Sequence, residues 1–121
     1  MLIESGKGSD LRERTFEFAC RVIEVHRFIY RREPSLRAIS SQASAAAGSV
    51  GANLEEADAA QSRADFISKA NIALKEARET RYWLRILARF TEPRRLAALI
   101  TESTELIAIL TTIVRKSRAT R

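Results

Sequence analysis

Apolar side chains along the chain recur every three or four positions, the spacing of a helix face and not the alternation of a strand. Leu11, Thr15, Phe18, Val22, Val25 and Ile29 form the first such series. Asp10-Leu11-Arg12-Glu13 precedes it in the form of a capping box, with Asp10 as N-cap and Glu13 reaching back. The helix ends before Pro34, because the residue preceding a proline is pushed out of the helical region. Phe16, Cys20 and Ile23 lie beside this seam and widen the apolar face beyond what a two-helix contact requires. Two causes fit: a helix buried in a four-helix core, or a flank that also meets another subunit.

Pro34 suits the first turn of a second helix, where its missing N–H has no partner to lose. Leu36, Ile39, Ala43, Ala46, Val50, Asn53 and Ala57 then alternate at threes and fours straight through AAAGSVGANLEEA, residues 45–57. The rhythm does not stop at Gly48 or Gly51, which favours one long helix over a loop, although each glycine costs roughly 1 kcal/mol relative to alanine. A surface of Gly, Ala and Ser lets a neighbouring backbone come close, which offsets that cost. On this reading Gly48, Gly51 and the alanines are a close-packed surface, and Asn53 and Glu56 are satisfied inside the bundle or across a subunit contact.

Ser62-Arg63-Ala64-Asp65 opens a third helix, with serine as cap and aspartate in the first turn. Its seam is Phe66, Ala70, Ala73, Ala77, Thr80, Leu84 and Leu87. Thr91-Glu92-Pro93 breaks the pattern, and Pro93 restarts it in a first turn. A fourth helix then carries Leu96, Leu99, Ser103, Leu106, Leu110 and Ile113, with Ile100, Ile107 and Val114 alongside. Four long helices joined by short turns predict an all-α, up-down-up-down antiparallel four-helix bundle, a single domain over residues 1–121 with flexible ends at 1–9 and 116–121.

Composition agrees with a globular helical chain. Of 121 residues, 45% are apolar and 30% charged, and only four glycines and two prolines interrupt them. No uninterrupted apolar run approaches the ~20 residues of a bilayer crossing, and the N-terminus lacks a signal layout, so neither a membrane nor secretion is expected. The one cysteine, Cys20, excludes an internal disulfide, and a bacterial cytoplasmic protein is the default. The net charge of +6 lies mainly in the second half and favours anionic partners, nucleic acid first.

Catalytic signals are poor. His26 is the only histidine, so one subunit cannot assemble a histidine metal cluster or an ordinary triad, and His26 reads as a partly exposed helix residue. Cys20, among apolar neighbours, reads as a small buried hydrophobe. Gly6-Lys7-Gly8-Ser9 lacks the spacing of a phosphate loop and has no strand before it. Glu76 and Glu79 share a helix face, and Asn53 and Glu56 stand with Glu55 and Asp58 nearby, but no Glu-x-x-His pair accompanies them. No metal or cofactor is expected, and the chain reads as a non-enzyme.

The cations of the third helix are better ordered. Lys75, Arg78, Arg81, Arg85 and Arg89 follow one another at threes and fours as a single stripe, with Tyr82 beside it and Trp83 nearer the core. Arginines bind phosphates through paired hydrogen bonds, and an adjacent aromatic ring can stack on an unpaired base. The plainer alternative is a solvated face paired with Glu76, Glu79 or a neighbouring helix. Arg115, Lys116 and Arg118 are expected to assist the stripe against RNA or DNA.

Ser41-Gln42, Ser49, Asn53 and Glu56, followed by FISKANIALKEARETRYWLRIL at residues 66–87, resemble the second and third helices of the four-helix-bundle proteins of bacterial 23S rRNA intervening sequences. The likeness is specific over residues 41–87 and extends in layout to about 10–115. Many members carry a proline where Gly51 stands and a glycine where Ala57 stands. The resemblance implies a homopentameric ring of bundles. It also implies kinship with the accessory variability determinant of diversity-generating retroelements, a basic pentamer that works with a reverse transcriptase and its RNA. Asn53, Glu56, Glu76 and Glu79 belong to the family pattern, and no catalytic role comes with them. With Gly48, Ser49 and Gly51 they are assigned to helix packing or a subunit interface. Expected partners are further copies of the chain, RNA or DNA, and a reverse transcriptase or other protein.

Overall fold

The computed structural model describes residues 6–91 and 94–120, and the side chains of α1 from Leu11 onward. Four α-helices fill it: α1 (Gly6–Arg32), α2 (Arg37–Asp58), α3 (Arg63–Phe90) and α4 (Arg94–Ala119). A single 3-10 turn, Pro34–Leu36, joins the first two. Each helix packs on the next in chain order and α1 closes back onto α4, so the chain is an antiparallel four-helix bundle. Among the described residues there is no strand.

The predicted seams of α1 and α3 are buried throughout, from Leu11 to Ile29 and from Phe66 to Leu87. Three buried polar residues, one each on α1, α3 and α4, tolerate burial because each hydroxyl donates to a carbonyl of its own helix: Thr15 to Arg12 (3.0 Å), Thr80 to Glu76 (2.7 Å) and Ser103 to Ile100 (2.7 Å). In α2 the buried row is turned slightly from the expected one. Ser40, Ala47 and Leu54 are fully buried, while Leu36, Ile39 and Asn53 are half-buried. Four alanines of α2 (Ala43, Ala46, Ala47, Ala57) and three of α3 (Ala70, Ala73, Ala77) are buried, and small side chains allow the close contact these two helices make. The α1–α4 contact is the sparsest of the four.

The helix ends are partly as expected. Ser62 caps α3 in extended conformation, its hydroxyl accepting from the Asp65 N–H at 3.1 Å. The α1 backbone is already helical at Gly6, so Asp10 lies inside the helix and is not its N-cap, and residues 6–9 are helical. Residues 1–5, Glu92, Pro93 and Arg121 lie outside the described residues, and with them part of the N-terminal tail and the restart at Pro93. The C-terminal tail is not frayed at its start: α4 continues through Lys116 and Arg118 to Ala119.

By length and composition alone α4 could cross a membrane, a property that uninterrupted apolar runs conceal because Glu102 and Glu105 break them. In the fold its leucines, Leu96, Leu99, Leu106 and Leu110, fill the bundle core. The two glutamates hold Arg14 of α1: Glu102 accepts two bonds at 2.9 and 2.8 Å, and Glu105 accepts one at 2.8 Å. That ion pairing raises the Arg14 pKa above its ordinary value.

Candidate nucleic-acid interface

Of the α3 stripe, Lys75, Arg78, Arg85 and Arg89 are exposed. Arg81 is half-buried, and its Nε is sealed from solvent without a hydrogen-bond partner. Its helical angle lies closest to the Ala77–Leu84 seam, so its stem packs along the bundle before its head can reach out. The carboxylates suggested as partners are engaged or placed otherwise. Glu79 accepts a bond from Trp83 Nε1 at 3.0 Å, and Trp83 packs edge-to-face on Tyr82 with centroids 5.2 Å apart. Glu76 is half-buried, and burial, then the charge of Glu79, raises its pKa.

Arg115, Lys116 and Arg118 do not join this stripe's arginine end. They sit at the C-terminal end of α4, beside the start of α3, where Arg63 Nη1 donates to the Thr120 carbonyl. From Arg63 to Arg89 the helix rises by about 40 Å. The expected patch therefore divides, with Arg85 and Arg89 at one end of the bundle and the three C-terminal cations at the other.

What the fold brings to Arg85 and Arg89 is a second group of arginines. The antiparallel order places the end of α1, the start of α2, the end of α3 and the start of α4 together. Residues 21–37 and 85–95 hold nine arginines and three glutamates, and the rest of the chain holds twelve basic and twelve acidic residues. The whole excess of +6 thus belongs to two segments that meet at one end. Among the described residues, the ion pairs draw their cations from the N-terminal halves of α1 and α3: Arg12 with Glu55 and Asp58, Arg14 with Glu102 and Glu105, Lys69 with Asp65.

Between α1 and α4 this end opens into a cleft. One cavity of about 670 Å³ is lined chiefly by Arg21, Glu24, Arg27 and Arg31, and an adjoining one of about 840 Å³ by Ile29, Arg94, Leu96 and Ala97, while Val25, Phe28 and Arg95 line both. The Arg32 guanidinium lies over the Phe28 ring at 4.0 Å, and that of Arg95 is 5.9 Å from its centroid. These α1 and α4 residues were not singled out from the sequence, because no single helix carries them as a stripe. A charge count by helix end, once the bundle was inferred, is the signal that finds them.

The small-residue face also divides. A Cβ on Gly51 would lie 3.4 Å from Thr15 Oγ1, so here α1 and α2 do approach closely. A Cβ on Gly48 would meet nothing within 4 Å, and Gly48 is exposed, so within the chain it is not part of a packed surface. Asn53 Nδ2 donates to the Ser49 carbonyl and hydroxyl, at 2.8 and 3.1 Å, which satisfies both half-buried side chains inside α2. Glu56 is exposed and not inside the bundle. On α1, Phe16, Ile23 and Tyr30 are exposed at seven-residue spacing, and Cys20 is half-buried, not buried. Residues 38–54 of α2 contain no charged side chain.

His26 is partly exposed, with Nδ1 2.7 Å from Ser40 Oγ and its ring edge-on to Tyr30. Among the described residues no three His, Cys, Asp or Glu side chains are grouped as a metal site.

Comparison with known proteins agrees with this architecture. No match is found among the curated proteins. The crystal structure of a protein with unknown function from the S23 ribosomal protein family, from Bacteroides thetaiotaomicron, superposes with a TM-score of 0.80 at 40% identity, over 86% of this chain and 97% of that one. The family model described as 23S rRNA-intervening sequence protein matches residues 7–112, which takes in all of α2 and α3 and all but the ends of α1 and α4. The chain belongs to the 23S rRNA-intervening sequence protein family.

Proposed function

We propose that this protein is a non-enzymatic nucleic-acid-binding module that grips phosphates with the arginine end of its bundle. One observation carries the reading: the entire charge excess belongs to the segments of that end, all nine of its cations are arginines, and guanidinium forks match phosphate oxygens. Arg85 and Arg89 keep the role read from the sequence, and Arg27, Arg31, Arg94 and Arg95 join them. Lys75 and Arg78 continue the field along α3. Arg115, Lys116 and Arg118 form a separate, weaker positive tip.

Phosphate contacts position without reading sequence, and each one released by salt steepens the fall of affinity. Fluorescence anisotropy with a structured RNA, measured from low to high salt, tests the reading. Reversing Arg85 and Arg89 to glutamate is expected to lower affinity at least tenfold and flatten the salt slope, while reversing Arg115 and Arg118 has a smaller effect. Equal effects of the two reversals, or an affinity indifferent to both, would overturn the reading.

A second reading concerns the opposite chemistry. The exposed Phe16, Ile23 and Tyr30 with the uncharged stretch of α2 form a face suited to another copy of the chain, and a ring of five is the assembly this reading proposes. Such a ring repeats the arginine end around its rim. Sedimentation decides between self-association and a stable monomer, and a protein partner recovered after nuclease treatment, a reverse transcriptase included, would instead favour a docking scaffold.

A further inference from the structure

Resting on the nucleic-acid reading above, we infer that the α1–α4 cleft takes an unpaired nucleotide, with its phosphate among the arginines and its base against Phe28. Phe28 stands at the junction of the two cavities and lines both. On one side the lining is Arg21, Arg27, Arg31 and Arg95, against the single carboxylate of Glu24. On the other Val25, Ile29, Leu96 and Ala97 give a larger apolar share, with Arg94 and Arg95 at its edge. An occupant that is anionic at one end and flat and apolar at the other satisfies both halves at once. A nucleotide has that division, whereas inorganic phosphate leaves the apolar half wet and an acidic peptide offers it no planar face.

The volumes, about 670 and 840 Å³, lie in the range of small-molecule sites. The aromatic ring is partly exposed, at 38%. Arg32 holds it in stacking contact at 4.0 Å, while Arg95 at 5.9 Å is too far to close over it. In a duplex each base face is covered by its neighbour, so a ring set in a cleft can stack only on a base that is unpaired or turned out. The cleft therefore adds to the phosphate grip a preference for single-stranded or looped segments.

The test uses the full chain and two probes: an eight-nucleotide single-stranded RNA carrying one 2-aminopurine, and a blunt RNA duplex of equal phosphate number. Binding of the single strand is expected to quench the 2-aminopurine. Phe28→Leu is expected to weaken that binding about 5- to 100-fold and remove the quench. Phe28→Trp is expected to restore both, and duplex binding is expected to be the same in all three proteins. Circular dichroism confirms the fold of each variant. Single strand and duplex bound alike, with Phe28→Leu altering neither, would overturn the cleft and leave the phosphate grip standing. Failure of the wild type to bind either probe would overturn both.

Discussion

Gly48 offers the most discriminating perturbation, because its expected effect reverses between the isolated chain and an assembly. A Cβ added there meets nothing within 4 Å, and the backbone is helical, so Gly48→Ala introduces no clash. It removes the conformational entropy that glycine carries in the unfolded chain, a gain of about 0.8–1 kcal/mol in a helix interior. At roughly 2.1 cal/mol/K of unfolding entropy per residue, a chain of 121 residues converts that gain into a rise in Tm of about 3–4 °C. Gly51→Ala differs, since its Cβ would lie 3.4 Å from Thr15 Oγ1 and 3.6 Å from Thr15 Cβ, and a smaller gain is expected. Thermal unfolding followed by circular dichroism, at a concentration where sedimentation shows monomer, gives both numbers. At higher concentration the same Gly48→Ala protein is expected to associate less than wild type if a second copy sits on that face. A monomeric Gly48→Ala protein that melts below wild type would refute the open placement of Gly48 and the reasoning built on it.

Arg14→Met removes the bond between the two neighbouring helices with the sparsest contact, and a loss of about 1 kcal/mol in urea unfolding is expected, since the pair is partly solvated. That difference should shrink in 1 M salt, and a difference that grows with salt would contradict it. Glu76→Gln tests the raised pKa of Glu76. A carboxyl whose folded pKa exceeds its unfolded value near 4.5 lowers stability when ionised, and the loss is relieved as pH falls through the folded value. Glu76→Gln is therefore expected to melt higher than wild type at pH 7, with the gap narrowing as pH falls through the folded value and closing only below the unfolded one, and a constant gap would show that charge is not its cause. Phe28→Leu and the paired reversal of Arg85 and Arg89, described above, complete the set.

The seams that follow a simple repeat of three and four were legible in the sequence because burial imposes that period directly. Phe18, Val22 and Ile29 on α1 and Ala73, Ala77 and Leu84 on α3 are buried as the spacing implies. On α2 the row slipped, because small residues surround the helix and the apolar pattern cannot say which alanine faces inward. Ala47 is buried and Ala45 is exposed although nothing in their chemistry differs. Asp10 matched a capping motif, yet the chain is already helical at Gly6, since a cap signal marks where a helix can start and not where it must. The candidate interface was half legible. Arg85 and Arg89 belonged to a visible stripe on one helix, whereas Arg27, Arg31 and Arg95 gather only through the antiparallel turns. Their proximity is a property of topology and leaves no local trace.

The even balance of twelve cations and twelve anions outside the two arginine-bearing segments has a mechanical consequence. An object whose net charge sits in one tip feels a torque before it feels contact. Near a polyanion such a rod turns to point its tip inward, so collisions that begin sideways are corrected during approach. The shaft, with its aromatic row at Phe16, Ile23 and Tyr30, is then left standing off the anion, oriented and unscreened for lateral neighbours.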